Sequence, residues 1–232
     1  MKNLWKSIQK ILRKVGLNSW IYTYCVGAIV AIVISVSVIG LNVILDNVEV
    51  IGTRTELNWF LLISMFVAYL FEAIVEEVMF RGVVFTVLRK KASIPVAVIT
   101  TSIVSTMIHI SSVLNEDLLL SVLRIVNVFT LSIVLAALRV REKSLWGAIG
   151  MNSVWKFIVY GVFGMNLTQM VSNENAWIQL NVVKTNVLSG GVFGIEASLV
   201  TTALFIGSTI ILFGSWLFDM RREHDYKDVW YR

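Results

Sequence analysis

Long runs of hydrophobic residues, separated by short groups of polar and charged positions, make up most of the chain. A bilayer core of roughly 30 Å is crossed by about 20 apolar residues in a helix, and six runs are close to this length or longer. These runs lie at residues 20–45, 59–88, 94–113, 118–138, 145–163 and 197–218. The pattern predicts an all-α fold, a polytopic membrane helix bundle with about six transmembrane helices. The second run is too long for one span, so we expect it to continue as an amphipathic helix at the membrane surface.

The composition points to the same class of protein, because 57% of the 232 residues are hydrophobic and only 15% are charged, which is unusual for a soluble domain. No internal repeat or low-complexity linker interrupts the pattern, so residues 1–232 are predicted to form a single membrane domain. Within it, residues 164–197 are predicted to be an outer loop and residues 198–218 the last transmembrane helix. Cys25 is the only cysteine, which excludes an internal disulfide and a cysteine-rich metal site.

Lysine and arginine cluster before the first run and after the second, fourth and sixth runs. Cytoplasmic loops of membrane proteins carry an excess of these residues, so both termini are predicted to be cytoplasmic in a multi-pass protein of the cell membrane. The same distribution explains the formal net charge of +5 through topology and attraction to anionic lipid. Membrane lipid is therefore an expected partner, and nucleic acid is not.

Several polar side chains interrupt the apolar runs, and such residues mark functional sites by default because they are costly inside a bilayer. They are the cluster from Glu72 to Arg81, His109, Arg124, Asn152 and Lys156. Residues four apart share one face of a helix, so Glu77 should pair with Arg81, and Glu76 should lie beside Glu72. A carboxylate near another carboxylate in an apolar setting can exchange a proton near neutrality, which makes Glu76 the candidate general base.

The depths of these residues in the membrane predict that they meet. With a rise of about 1.5 Å per residue, Glu76 lies on the order of 18 Å and His109 about 22 Å from the cytoplasmic ends of their helices. By the same arithmetic, Asn152 and Lys156 lie roughly 12 to 18 Å from the start of the fifth run. We therefore expect one interior cavity lined by Glu76, Glu77, His109 and Asn152.

A hydrolytic zinc ion usually has three protein ligands, and the chain has only two histidines, His109 and His224. Since His224 lies in the charged C-terminal tail, a zinc site would need two glutamates and His109, and we disfavour it. No cofactor is expected. A metal-free scheme needs Glu76 and His109 to hold and deprotonate a water molecule and a nearby amide to stabilise the oxyanion.

Some of these side chains also have structural interpretations. Glu72 can be a packing or surface residue, and Lys156 can be a counter-ion of Glu76 or Glu77. Arg124 can extend towards the membrane surface or pair with a carboxylate. Glu196 is placed where it can interact with the dipole of the last helix.

Three motifs in this order resemble the CaaX protease and bacteriocin-processing (CPBP, or Abi) intramembrane endopeptidases, the family of the type II prenyl-protein proteases. The first, Glu-Glu-x-x-x-Arg, is intact at Glu76-Glu77-Val-Met-Phe-Arg81. The second, Phe-x-x-x-His, keeps its histidine in Ser105-Thr-Met-Ile-His109 but has Ser105 in place of Phe. The third, His-x-x-x-Asn after Ser-Leu-Trp, has Asn152 in place of His and Lys156 in place of Asn. Residues 59–163 form the catalytic-motif core, and the resemblance extends from about residue 59 to 218.

The resemblance implies a glutamate-dependent peptidase of the bacterial membrane. It implies that Glu76 and His109 activate water, that Glu77 and Arg81 support them, and that residues of the third motif hold the oxyanion. The expected substrate is a small membrane-associated peptide or protein, such as a bacteriocin or pheromone precursor, with a possible part in self-immunity. The changes at Asn152 and Lys156 leave open a weakened relative that binds and regulates a membrane protein or peptide. A proton-coupled transporter is a third interpretation, because buried acids, lysine and histidine also form proton relays.

Overall fold

The protein is mostly helical in the computed structural model, which describes residues 19–109, 118–164 and 176–222. Six α-helices lie in these ranges: α1 (Ser19–Ile44), α2 (Trp59–Arg89), α3 (Ile94–His109), α4 (Leu118–Glu142), α5 (Trp146–Lys156) and α6 (Leu199–Arg222). Each corresponds to one of the six hydrophobic runs, so the predicted helical bundle is confirmed. The basic residues predicted to precede α1, and His224, lie outside the described residues.

Three helices, α1, α2 and α4, are long and apolar enough to cross a membrane by length and composition. The apolar parts of α3 and α6 are shorter, at Ile94–His109 and Leu199–Gly214. Many large hydrophobic side chains are exposed, as suits contact with lipid, among them Ile29, Phe60, Phe71, Met107 and Ile211. A membrane protein is therefore supported, while the number of six spans and the cytoplasmic location of the termini stay predictions.

Two helices contain π-helical turns, in which an amide bonds to the carbonyl five residues earlier. In α2 the turn covers Val78–Val84, and the amide of Phe85 donates to the carbonyl of Phe80. After α5 a second turn covers Phe157–Val162. Such turns occur frequently at functional sites. Here the first contains Arg81 and begins directly after Glu77, and the second begins directly after Lys156.

A short antiparallel sheet joins the segment after α1 to the segment before α6. Strand β1 (Val48–Thr53) pairs with β2 (Ile178–Val182), with a bulge between Val50 and Gly52. Neither strand was predicted. Strand β2 and a 3₁₀ turn at Gly191–Ala197 lie in the segment predicted to be an outer loop, which therefore contains regular structure. Residues 165–175 of that segment lie outside the described residues.

Helix α5 is packed closely against α1 through glycines. A Cβ atom on Gly27 would lie 1.8 Å from the carbonyl oxygen of Gly147, and one on Gly150 would lie 2.3 Å from that of Tyr24. Small residues allow such close approach of helix backbones. The start of α5 is also fixed locally, because the hydroxyl of Ser144 accepts a hydrogen bond from the amide of Trp146 at 3.3 Å. These contacts set the position of the polar residues that follow on α5.

The main hydrophobic core lies between α1, α4, α5 and α6. It includes Ala31, Ile34, Val38, Val134, Leu138, Ala148, Met151, Trp155, Ile195 and Phe205, all buried. One side of α4 contributes to this core, and its polar residues line the neighbouring cavity. The core therefore forms one wall of the candidate site.

Candidate active site

A cavity of about 500 Å³ lies between α2, α3, α4 and α5, and Glu196 of the 3₁₀ turn before α6 also lines it. Its polar lining consists of Tyr69, Glu72, Glu76, Arg81, Ser105, His109, Arg124, Ser132, Asn152, Lys156, Tyr160 and Glu196. This volume suits a short peptide segment or a small ligand. The cavity brings together polar residues from all the helices that the depths predicted, and it adds residues from α4.

The predicted ion pair between Glu77 and Arg81 is present and fully buried. Arg81 Nη1 lies 3.0 Å from Glu77 Oε1, and its Nη2 donates to the carbonyl oxygen of Ser132 at 2.8 Å and to the Ser132 hydroxyl at 2.6 Å. Because 0% of Glu77 and 1% of Arg81 are exposed, water screens this pair very little. The pair therefore ties α2 to α4 directly behind Glu76.

Glu77 does not line the cavity, contrary to the prediction. Residues 76 and 77 are adjacent on a helix and are separated by about 100° around its axis, since there are 3.6 residues per turn. Glu76 faces the cavity, while Glu77 faces the interior of the bundle. The geometry therefore allows Glu77 to support the neighbouring residues of the site.

Two side chains of α5 contact the carboxylate of Glu76. Asn152 Nδ2 donates to Glu76 Oε2 at 2.8 Å and to Glu77 Oε1 at 3.1 Å. Lys156 Nζ lies 3.0 Å from the same Glu76 oxygen and 2.9 Å from Glu72 Oε1. The counter-ion interpretation of Lys156 is confirmed, and Glu72 takes part in an ion pair at the edge of the cavity.

The sequence predicted that the carboxylate of Glu72 would be the nearest charged group to Glu76. The structure differs from this prediction. Lys156 lies between Glu72 and Glu76 and contacts both. A cation and an amide donor next to Glu76 favour its ionised form. Glu76 is consequently placed as a carboxylate that can accept a proton, with one of its two oxygens already bound.

The second oxygen of Glu76 faces the end of α3. His109 Nε2 lies 3.8 Å from Glu76 Oε1, and both side chains are partly exposed to the cavity. This distance exceeds a direct hydrogen bond, and both groups can contact one water molecule between them. Glu76 and His109, which are 33 positions apart in the sequence, therefore lie next to each other in the lining of the cavity.

A second polar cluster in the lining of the cavity is formed around Glu196 of the 3₁₀ turn. Arg124 Nη2 lies 3.2 Å from Glu196 Oε2, and the hydroxyl of Tyr160 donates to Glu196 Oε1. Asn127 Nδ2 donates to the carbonyl oxygens of Glu196 at 2.8 Å and Ser198 at 3.0 Å. This cluster fastens the 3₁₀ turn to α4.

Two interpretations change as a result. Arg124 pairs with a carboxylate and is buried, so extension towards the membrane surface is wrong. Glu196 lies in the 3₁₀ turn before α6, where its carboxylate contacts Arg124 and Tyr160. Its predicted interaction with the dipole of the last helix is therefore replaced by contacts with side chains.

Sequence reasoning missed Tyr160, Ser132 and Asn127. A signal for one of them exists, because Arg124 and Asn127 are three residues apart on an otherwise apolar helix and share a face. Ser132 and Tyr160 carry no such signal, since single hydroxyl groups are common in membrane helices. Their roles depend on which helix lies opposite.

A metal ion in the cavity would need several carboxylate, imidazole or thiolate ligands close together. Across residues 19–109, 118–164 and 176–222, no three His, Cys, Asp or Glu side chains are grouped so that they could hold one. In addition, the ammonium group of Lys156 is 3.0 Å from Glu76 and would repel a cation there. Within the described residues, the structure therefore shows no group of three such side chains that could hold a zinc ion.

Residues 58–158 match the family model described as type II CAAX prenyl endopeptidase, Rce1-like. The matched segment runs from the residue before α2 to two residues beyond α5, and it contains all three motifs. No curated protein and no solved structure matches the chain. The family match thus covers the helices that carry Glu76, His109, Asn152 and Lys156.

Proposed function

We propose that this chain, a relative of the CPBP and CAAX proteases, is a glutamate-dependent intramembrane endopeptidase. The observation that carries the proposal is the proximity of Glu76 and His109 in the lining of the cavity, where Glu76 Oε1 and His109 Nε2 are 3.8 Å apart. The substrate we propose is a small membrane-associated peptide or protein, such as a bacteriocin or pheromone precursor. The protein would act as a multi-pass enzyme of a bacterial membrane, with both termini in the cytoplasm.

In the proposed reaction, a water molecule in the cavity contacts both Glu76 Oε1 and His109 Nε2. Glu76 accepts a proton from this water as its oxygen attacks the peptide carbonyl carbon, and His109 orients the water. The proton then passes to the amine that leaves when the carbon–nitrogen bond breaks. Glu77 and Arg81 keep α2 in place against α4 throughout.

The oxyanion formed in this attack needs a donor. Asn152 is poorly suited in the arrangement described, because both hydrogens of its amide already point to Glu76 and Glu77. An ammonium group has three N–H donors, and Lys156 directs two of them to Glu72 and Glu76. We therefore assign the oxyanion contact to the third N–H of Lys156. Removal of one oxyanion donor typically lowers the rate by about 10²- to 10³-fold.

The experiment is cleavage of a library of hydrophobic peptides by the purified protein in lipid bilayers. The parent is compared with Glu76→Ala and His109→Ala, each with and without a chelator. We expect cleavage by the parent, its loss in both variants, and no effect of the chelator. Inhibition by the chelator would overturn the metal-free scheme but not the peptidase assignment.

A second candidate function is a relative without significant activity that binds and regulates a membrane protein or peptide. One observation favours it: Lys156 and Asn152 bind the carboxylate that should act as the base, which lowers its tendency to accept a proton. This candidate predicts that the parent cleaves nothing in the library, while Asn152→His combined with Lys156→Asn restores cleavage. Cleavage by the parent would exclude it.

A further inference from the structure

Glu72 has no part in the reaction scheme above, yet it is connected to the reacting carboxylate through one side chain. It lies one helical turn before Glu76 on the same face of α2. Its Oε1 is 2.9 Å from Lys156 Nζ, which is also 3.0 Å from Glu76 Oε2. Lys156 therefore forms a bridge between two carboxylates of one helix.

The bridge determines which oxygen of Glu76 can react. Oε2 receives hydrogen bonds from Lys156 at 3.0 Å and Asn152 at 2.8 Å, whereas Oε1 faces His109. Two donors on one oxygen fix the orientation of the carboxylate plane. The proton from water is then accepted at Oε1.

Lys156 can hold this position only if its own side chain is fixed. A lysine side chain has a flexible four-carbon stem and ends in a compact ammonium group with three rotatable donors. A single contact with Glu76 would leave Nζ free to rotate around that oxygen. The second contact, with Glu72, limits the rotation.

We infer that Glu72 is a positioning residue, which acts through Lys156 to orient Glu76 and to direct the third N–H of Lys156 into the cavity. This inference rests on the proposed function. It gives a purpose to a carboxylate that is half exposed, since 50% of the Glu72 side chain is accessible against 16% for Lys156. The same exposure means that Glu72 can be replaced with little risk to folding.

The test is a double-mutant cycle in kcat, with the parent, Glu72→Ala, Lys156→Met and the double variant in lipid bilayers. We expect Glu72→Ala to lower kcat by roughly 10- to 100-fold, since a misplacement on the order of 1 Å costs about 10²-fold, with little change in KM. In the Lys156→Met background the same change should have no further effect. Glu72→Asp should recover part of the rate. A loss of equal size in both backgrounds would overturn the inference, as would a Glu72→Ala variant with the kcat of the parent.

A second readout keeps the inference testable if the parent cleaves no peptide. The infrared bands of the Glu76 carboxylate are identified as those lost in Glu76→Gln. They should shift in Glu72→Ala relative to the parent, and they should be identical in Lys156→Met and the double variant. Glu49→Ala, at an exposed position of β1, is the matched control and should change neither kcat nor the bands. Absent cleavage with the expected shifts would reject the proposed function alone, and unshifted bands in Glu72→Ala would reject the positioning role.

Discussion

Arg81→Met should destabilise the protein far more than the loss of an ordinary surface charge. Arg81 is 1% exposed and makes three contacts of 2.6 to 3.0 Å, one with Glu77 and two with Ser132. Its removal leaves the Glu77 carboxylate buried with Asn152 as its remaining donor, at 3.1 Å. Removal of one partner of a buried pair costs about 3 to 5 kcal/mol, and we expect a loss of that size in the free energy of unfolding.

The measurement is reversible unfolding in bilayers or mild detergent, for the single variant and for Glu77→Gln combined with Arg81→Met. Because the double variant contains no unpaired buried charge, it should regain a large part of the loss. Lys91→Met is the control, since Lys91 is exposed, and it should cost about 0.5 kcal/mol or less. Equal losses in the single and double variants would refute the interpretation of Glu77 and Arg81 as a buried charge pair.

Two further predictions concern the walls of the cavity. Gly27→Ala should cost about 1 to 3 kcal/mol of unfolding free energy, the typical cost of overpacking, because its Cβ would overlap α5. It should also reduce cleavage. In the control Gly40→Ala, the added Cβ has nothing within 4 Å, so this variant should change neither the unfolding free energy nor cleavage. Glu196→Leu should cost roughly 3 kcal/mol, since it separates a buried Arg124 from its carboxylate, and an unchanged melting profile would contradict this.

The helices and part of the site follow from local sequence periodicity. Apolar runs of membrane length predict α1 to α6, and the four-residue spacing predicts the pair of Glu77 with Arg81 without knowledge of any other helix. The common depth of Glu76, His109 and Asn152 also predicts their proximity. Each of these results depends on the rise per residue or on helical spacing, which are the same in every α-helix.

The remaining features depend on the contacts between elements distant in the sequence. Strand β1 precedes β2 by more than 120 residues, and neither is long or regular enough to indicate its partner. Arg124 and Glu196 are also far apart in the sequence, at 72 positions, so periodicity alone does not show whether the arginine side chain points to the membrane surface or to a carboxylate. The face of α2 that each carboxylate occupies is likewise fixed by packing, which is why Glu77 was wrongly placed in the lining of the cavity.

The departures in the third motif can be understood as one electrostatic change. In the family, His and Asn are neutral donors, whereas Asn152 and Lys156 add a positive charge beside Glu76. Glu72 supplies the compensating negative charge, so Lys156→Asn alone would leave Glu72 and Glu76 one turn apart with no cation between them. Like charges at this spacing are destabilising. We therefore compare the restored motif, Asn152→His with Lys156→Asn, in the presence and absence of Glu72→Gln. The variant that also carries Glu72→Gln should have the higher kcat and the higher unfolding free energy. If the added change makes no difference to either quantity, the substitutions at 152 and 156 are independent of Glu72.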